Sequence, residues 1–190
     1  MRIIAGIYGS RIIEAPPTKA TRPTTDRMKE SMMSALFSHY GALDEAYVLD
    51  AFAGSGALGI ECLSRGAAHV DFFENGPEIA TVKKNISTLG LEQKTKLFKS
   101  DIYTAQLPHT YDIVFLDPPY KTPQADIWNF IAHLFKQGAL SPKAHIVYEH
   151  ASQEDVAVPV SLNDICTIQK QRAFGEAAFS LLAMHPAQPH

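Results

Sequence analysis

Cysteine and long apolar stretches are both scarce in this chain of 190 residues. The two cysteines, Cys62 and Cys166, lie far apart in apolar surroundings, which favours reduced core thiols over a disulfide or a metal site. The apolar runs have the length of strands, so we expect no membrane span. Polar residues and glycine from Tyr8 to Arg11 come before a signal-peptide core could form. We therefore expect one cytoplasmic domain with a small appendage.

Zinc motifs and an excess of positive charge are also missing. The eight histidines show no metal-ligand spacing, so we expect no bound metal. The net charge of −3 argues against a protein that coats nucleic acid by its bulk charge. The charge is uneven, because residues 1–30 carry six basic and three acidic side chains. Such a basic segment favours a local contact with phosphate, with ordinary surface charge as the alternative.

The N-terminal residues predict an extension followed by a helix. We expect a β-hairpin over residues 1–17, with two apolar arms around a glycine turn. Thr24 or Thr25 would cap the helix that follows, and Asp26 is favourable in its first turn. The core stripe of this helix comprises Met28, Met32, Met33, Leu36 and Phe37.

Strands alternate with helices in the rest of the chain. Strand composition occurs at residues 47–52, 69–73, 96–99, 111–117 and 144–149. Helical spacing falls between them, through residues 60–63, 77–89 and 125–135. A closing antiparallel hairpin is predicted from residues 164–171 and 177–184. The alternation predicts an α/β fold with a doubly wound, mostly parallel sheet over residues 18–184, before a loose tail at 185–190.

A glycine-rich turn follows the first of these strands. Gly54, Gly56 and Gly59 match the pattern G-x-G-x-x-G, and Glu74 lies at the end of the next strand. Alone, this motif fits a nicotinamide dinucleotide fold. Asp50 favours a different cofactor, because a carboxylate there would repel a pyrophosphate but attract an ammonium group.

S-adenosylmethionine carries such an ammonium group. It also has a ribose for Glu74 and an adenine that could meet Asp101 after the third strand. Phe52, Asn75 and Ile102 flank these acids and complete the predicted cofactor contacts. Each acid alone could instead cap a helix or a turn, and Asn75 could be a turn former.

The segment Asp117-Pro118-Pro119-Tyr120 ends the fourth strand, because two prolines cannot donate to a sheet ladder. The stop places a carboxylate, a proline carbonyl and an aromatic ring at a carboxyl end, where open α/β sheets bind ligands. Acceptors beside a ring suit a flat, amine-bearing nucleobase. The alternative, a plain strand-ending turn, loses weight beside the glycine turn and the three acids.

These two motifs together resemble those of the class I amino-methyltransferases, which modify exocyclic amines of bases. More narrowly, the chain resembles the bacterial small-subunit ribosomal RNA guanine methyltransferases of the RsmD type. The matching stretches are residues 2–6, 21–27, 49–59, 64–67, 116–120 and 148–150. Residues 71–77 depart mildly, since a more basic or aliphatic second strand is expected there.

The resemblance implies a Rossmann-like class I methyltransferase fold of seven strands, with S-adenosyl-L-methionine as cofactor. It implies a monomer that methylates the 2-amino group of a guanine in 16S ribosomal RNA. The RNA partner would be part of the small subunit or of an assembly intermediate. No metal is required for this reaction.

The implied chemistry needs a nitrogen lone pair that is otherwise delocalised into the base. Asp117 and the Pro118 carbonyl would accept the two amino protons and favour a tetrahedral nitrogen. Tyr120 would stack on the base and set its approach to the methyl group. Glu149 and His150 could line the base pocket or simply end the fifth strand.

The N-terminal segment would serve both ligands. Arg22 and Thr24 would close over the cofactor, and Arg2, Arg11 and Lys19 would contact RNA phosphates.

Three other functions stay open. A DNA or RNA adenine or cytosine amino-methyltransferase would share both motifs, but such enzymes usually carry a recognition insertion for which 190 residues leave no room. A nicotinamide-dependent oxidoreductase would share only the glycine turn. An RNA-binding module with a defunct cofactor site would not need the intact acids.

Overall fold

The computed structural model describes residues 1–16, 25–119 and 121–185. The helices are α1 (Asp26–His39), α2 (Ala57–Ser64), α3 (Ile79–Leu89) and α4 (Gln124–Lys136). The strands are β1 (Tyr47–Asp50), β2 (His69–Phe73), β3 (Thr95–Phe98), β4 (Tyr111–Leu116), β5 (Leu140–Ala151), β6 (Cys166–Phe174) and β7 (Ala177–Met184). Short 3₁₀ helices occupy Glu92–Lys94 and Val160–Leu162. Residue 17 and most of the predicted tail lie outside the described residues.

The seven strands form one sheet in the order β3-β2-β1-β4-β5-β7-β6. The first five strands of this row pair in parallel, and β7 pairs antiparallel with β5 and β6. The sheet is thus doubly wound and mostly parallel, and the predicted closing hairpin is confirmed. The strand order reverses between β1 and β4, because the chain builds one half of the sheet outward from β1 and the other half outward from β4. Ligands of such sheets bind at this switch, outside the carboxyl ends of the strands.

Both faces of the sheet are covered. Successive strand side chains point to opposite faces, so Val48 packs under α1, α2 and α3 while Leu49 packs on the side of α4. Cys62 and Cys166 are buried free thiols, one on each side, as expected. No described helix is long and apolar enough to span a bilayer.

The N-terminal extension is a hairpin that makes very little β-structure. Arg2 and Ile12 form an isolated antiparallel bridge, and the Ile3 N–H donates to the Arg11 carbonyl at 3.0 Å. Its arms are too short for strands, and side chains hold it instead: Ile3 and Ile13 are buried in the core.

Glu61 of α2 fixes the extension to the main body. Its carboxylate accepts the N–H groups of Ile4 and Ala5 at 2.8 and 3.0 Å. Gly6 has a φ of +86°, and a Cβ there would collide with the backbone of Ser64. The extension therefore lies tightly on the end of α2.

The element boundaries differ from the predicted ones where turns and bulges intervene. Strand β1 ends at Asp50, because the glycine turn begins at once after it. Strand β5 starts at Leu140, four residues early, where an irregularity pairs it with Tyr111. Thr25 is the cap of α1, and its hydroxyl accepts from the Met28 N–H at 3.2 Å.

Candidate active site

The carboxyl ends of β1, β2 and β3 bring the three predicted acids to one edge of the sheet. Asp50 is the last residue of β1, Glu74 directly follows β2, and Asp101 lies in the turn after β3. These strands are parallel neighbours, so their carboxyl ends meet. The fold thus assembles a row of acids from segments about 25 residues apart in the chain.

Asp50 is almost completely buried, with 3% of its surface exposed. Its Oδ2 accepts the Gly59 N–H at 3.1 Å, which caps the first turn of α2, where Gly56 has no side chain to do so. Burial raises the pKa of Asp50 to about 7; the Gly59 N–H opposes this, and the charges of Asp117 and Glu74 add to it. A cation placed beside this carboxyl would lower its pKa again.

The glycine turn needs its glycines for two different reasons. Gly54 and Gly56 adopt positive φ angles of 56° and 77°, which side chains disfavour. A Cβ on Gly59 would collide with the ring of Phe72 in β2, so this glycine lets α2 approach the sheet.

Glu74 is half-buried and bound to the backbone through both carboxylate oxygens. Its Oε2 accepts the Gly54 N–H at 2.9 Å, and its Oε1 accepts the Gly76 N–H at 2.7 Å. The neighbouring Asn75 is exposed. Each carboxylate oxygen has a second lone pair, so Glu74 can still accept two hydroxyl groups in a fixed orientation.

Asp101 has the turn role that the sequence left open as an alternative. Its Oδ1 accepts the Tyr103 N–H at 3.0 Å, while the residue stays exposed. Ile102 is buried beside it, and Phe52 contacts Tyr103 with ring centroids 5.9 Å apart. Two apolar side chains and an exposed carboxylate therefore share one end of the acid row.

Asp117 immediately follows β4, which ends at Leu116 as the two prolines require. Asp117 and Pro118 are half-buried, and Tyr120 lies outside the described residues. Burial raises the pKa of Asp117 well above its usual value, and the charge of Glu149 adds to this. Leu116 of β4 is paired with Tyr148 of β5, and Asp117 and Glu149 directly follow them, so the two acids lie side by side where the pairing of β4 with β5 ends.

The structure separates the roles of Glu149 and His150, which alternate across the sheet. Glu149 is 5% exposed and acts on Asp117. His150 is buried, with its Nδ1 2.9 Å from the Ala151 carbonyl and its Nε2 2.9 Å from the Ser180 hydroxyl. Since a carbonyl only accepts, the Nδ1 donates, and in the neutral ring Ser180 donates to the Nε2. His150 thus belongs to the β5–β7 pairing.

The basic residues of the extension are exposed. Arg2 forms a salt bridge with Asp26 at 3.4 Å, and the Arg11 guanidinium lies 5.4 Å from the ring centroid of Tyr8. Arg2 therefore reaches towards α1, whereas Arg11 lies over the extension itself. Lys19, Arg22 and Thr24 lie outside the described residues.

Asn85 of α3 links the extension to the glycine turn and has no motif that would reveal it. Its side-chain amide donates to the Ser55 carbonyl at 2.9 Å and the Glu14 carbonyl at 3.0 Å. Its Oδ1 accepts the Glu14 N–H at 2.8 Å. Only the helical position of Asn85, on the buried face of α3, could have hinted at this role.

The strand order, the glycine turn and the acids at the carboxyl ends define a class I methyltransferase fold, and the protein is a methyltransferase. The chain belongs to the family described as Conserved hypothetical protein 95, whose model matches residues 1–183.

Individual relatives agree with this assignment. The chain is 33% identical over 187 residues to "Ribosomal RNA small subunit methyltransferase D" of Haemophilus influenzae, covering 95% of this chain and 92% of that protein. It is 34% identical over 177 residues to "Putative rRNA methyltransferase YlbH" of Bacillus subtilis, covering 90% and 92%. The solved "Putative methyltransferase yhhF from Escherichia coli" superposes with a TM-score of 0.82 at 30% identity, over 98% of this chain and 99% of that one.

Proposed function

We propose that the protein uses S-adenosyl-L-methionine to methylate the exocyclic 2-amino group of one guanine in 16S ribosomal RNA. It acts in the cytoplasm as a monomer, on RNA within the small subunit or an assembly intermediate. The observation that carries this proposal is the meeting of the acid row with Asp117 and Pro118 at one edge of the sheet. The names of the relatives support ribosomal RNA as the substrate.

The residues of the acid row fit the cofactor group by group. Asp50 is a buried acid whose pKa is raised to about 7, so an ammonium group nearby would relieve its unfavourable environment. Glu74 has free lone pairs for the two ribose hydroxyls. Phe52 and Ile102 would contact the adenine ring, and Asp101 its amino group. When bound, the cofactor supplies a methyl group on a positively charged sulfur.

The end of β4 would hold the base. The ionised Asp117 accepts a hydrogen bond from one amino N–H and the Pro118 carbonyl accepts one from the other. These two hydrogen bonds localise the nitrogen lone pair. Tyr120 stacks on the base in this proposal and aligns the nitrogen. Asp117 is close enough to take up the proton that the methylated nitrogen releases. The raised pKa of Asp117 suits a proton acceptor, because a stronger base holds the proton better.

The RNA must present its base outside a helix, because the pocket has to surround the ring. Arg2 and Arg11 on the extension would contact the phosphates beside the target base. Arg22, Thr24 and Lys19 complete the proposed cofactor and RNA contacts.

The test is methyl transfer from tritiated S-adenosyl-L-methionine to small subunits and naked 16S RNA from a strain that lacks the enzyme. We expect saturable labelling of one nucleotide, which nucleoside digestion identifies as N2-methylguanosine. Label on an adenine or cytosine amine would overturn the base assignment while keeping the class of reaction. Calorimetry should show binding of S-adenosylhomocysteine and none of nicotinamide dinucleotides, and the reverse result would overturn the cofactor assignment.

A further inference from the structure

Two imidazoles, a carboxylate and a phenol meet at the edge of the sheet opposite the candidate active site. Asp71 of β2 is completely buried. Its Oδ1 lies 2.9 Å from the His69 Nε2, and its Oδ2 lies 2.7 Å from the His109 Nδ1. The Tyr111 hydroxyl donates to the same Oδ2 at 2.6 Å. None of these four residues takes part in the proposed methyl transfer.

The fold brings this group together from separate segments. His69 and Asp71 are two residues apart in β2, so they lie on one face of that strand. His109 precedes β4, which begins at Tyr111. Tyr47 of β1 packs against both imidazoles, with ring centroids 5.5 Å from His69 and 5.2 Å from His109. Strand β2 separates His69 from the active-site edge by about 13 Å, at roughly 3.3 Å per residue.

A buried carboxylate is costly unless positive charge or hydrogen bonds compensate it. Among the described residues, the imidazoles of His69 and His109 lie within ion-pair distance of Asp71, and no lysine or arginine does. Imidazole N–H and phenol O–H groups can satisfy the lone pairs of the carboxylate by hydrogen bonding. A divalent cation among these groups would compensate its charge as well.

We propose that His69, Asp71 and His109 bind a divalent transition-metal ion of the Zn²⁺ type. Their candidate ligand atoms all lie within 4.8 Å of one another. Tetrahedral zinc places such atoms about 3.3 Å apart, so the two hydrogen-bonded contacts would open by about 0.5 Å while the most widely separated ligand atoms would move closer together. Mixed imidazole and carboxylate ligands suit zinc, whereas magnesium and calcium prefer oxygen alone.

The surroundings of the three ligands also fit a metal site. The Tyr111 hydroxyl holds the carboxylate in place, in the way that outer hydrogen bonds orient metal ligands. The side chains of His69 and His109 are 19% and 32% exposed, so solvent reaches both imidazoles. A metal ion can therefore enter from the surface, and water can complete its coordination. This proposal replaces the expectation of no metal, which rested on spacing along the chain.

The experiment is calorimetric titration of the untagged protein with ZnCl₂, together with the absorption spectrum of the Co²⁺ form. We expect one ion per chain, a higher melting temperature with Zn²⁺, and cobalt bands of low coordination number. His69→Gln and His109→Gln should each weaken zinc binding about tenfold or more. His133→Gln is the matched control, because it removes an exposed imidazole of α4 and should leave binding unchanged.

Two outcomes of the titrations would overturn the proposal. One is the lack of saturable zinc binding by the wild-type protein. The other is equal binding by the cluster variants and His133→Gln, which would mean adventitious surface binding only. If the cluster variants do not fold, the wild-type protein gives an independent readout: Zn²⁺ should protect His69 and His109, but not His133, from diethyl pyrocarbonate. Modification of all three at unchanged rates would also overturn it.

Discussion

The carboxylates are held differently at the carboxyl edge of the sheet, where the parallel strands end, and at the amino edge, where they begin. At the carboxyl edge, Asp50 and Glu74 accept hydrogen bonds from backbone N–H groups of glycines. At the amino edge, Asp71 accepts only from side chains in the described structure. Backbone amides hold a carboxylate in place without adding a formal positive charge. The negative charge of the acids at the carboxyl edge therefore remains available to a positively charged ligand. The carboxyl edge depends on turn geometry and the amino edge on side-chain identity.

Removing the acid after β4 should have the largest effect. Asp117→Ala is expected to lower methyl transfer by about 100-fold or more, because the base amine loses an acceptor. Affinity for S-adenosylhomocysteine should stay within a fewfold of wild type. Single-turnover transfer and calorimetry measure the two quantities. Asp164→Ala, which removes an exposed aspartate before β6, is the control; equal loss of transfer and cofactor binding in Asp117→Ala would place the base pocket elsewhere.

Asp50, at the end of β1, should lower the stability of the free protein and raise its affinity for the cofactor. Asp50→Asn keeps an acceptor for the Gly59 N–H but removes the charge, so cofactor affinity should fall about tenfold. The pKa of Asp50 rises from 3.8 to about 7 on folding, so this carboxyl costs stability increasingly as the pH rises from about 4 to 7.

Without ligand, Asp50→Asn should therefore unfold at a higher urea concentration than wild type at pH 8. Its free energy of unfolding should be larger by at most about 4 kcal/mol. The difference should shrink towards pH 4. Urea denaturation at both pH values measures it. A variant that is less stable than wild type at pH 8 would contradict the assigned burial cost.

Charge reversal on the extension should have a moderate effect confined to RNA. Arg2→Glu with Arg11→Glu should weaken RNA binding and lower the slope of log affinity against log salt by about 2. Filter binding at several salt concentrations measures this slope. Lys136→Glu with Lys143→Glu changes the net charge equally on other exposed positions. If both pairs change the slope alike, the extension makes no special contact.

The smallest functional effect is expected at the buried pair behind the site. Ser180→Ala removes the hydroxyl that bonds His150 and that accepts from Gln171 at 3.1 Å. We expect a loss of about 1–3 kcal/mol of unfolding free energy, with methyl transfer by the folded protein unchanged. Thermal denaturation and the methyl-transfer assay separate these effects. A large loss of methyl transfer by the folded variant, at saturating cofactor and RNA, would indicate that His150 lines the base pocket.

Much of the carboxyl edge was predictable because its signals are local. The structural role of each signal can be predicted from the residues next to it. This holds for the glycines in a turn, for an acid at a strand end and for two prolines after a strand. The doubly wound, mostly parallel sheet followed from the alternation of strands and helices and is confirmed, as is its closing hairpin. The seven-stranded methyltransferase fold was implied by the family resemblance and is also confirmed. The roles assigned to Asp50, Glu74 and Asp117 stay predictions.

The remaining features depend on contacts between distant segments. Asn85, Ser180 and His109 form hydrogen bonds with residues 30 to 71 positions away, and no local pattern encodes such distances. The extension forms the predicted hairpin, but its apolar arms did not reveal that the core and Glu61, rather than a long β-ladder, hold it in place. His-x-Asp in β2 was a visible half of the amino-edge cluster.

The strand order also governs the sequence in which the chain can assemble itself. Strand β1 meets β2 about 20 residues later, but its other neighbour is β4, and Tyr47 bonds Asp112 across 65 positions. During synthesis, the half of the sheet that carries the glycine turn can form well before β4 leaves the ribosome. Until then the inner edge of β1 is an open template for wrong strand partners. The future centre of the enzyme is therefore an open sheet edge while the chain is being made.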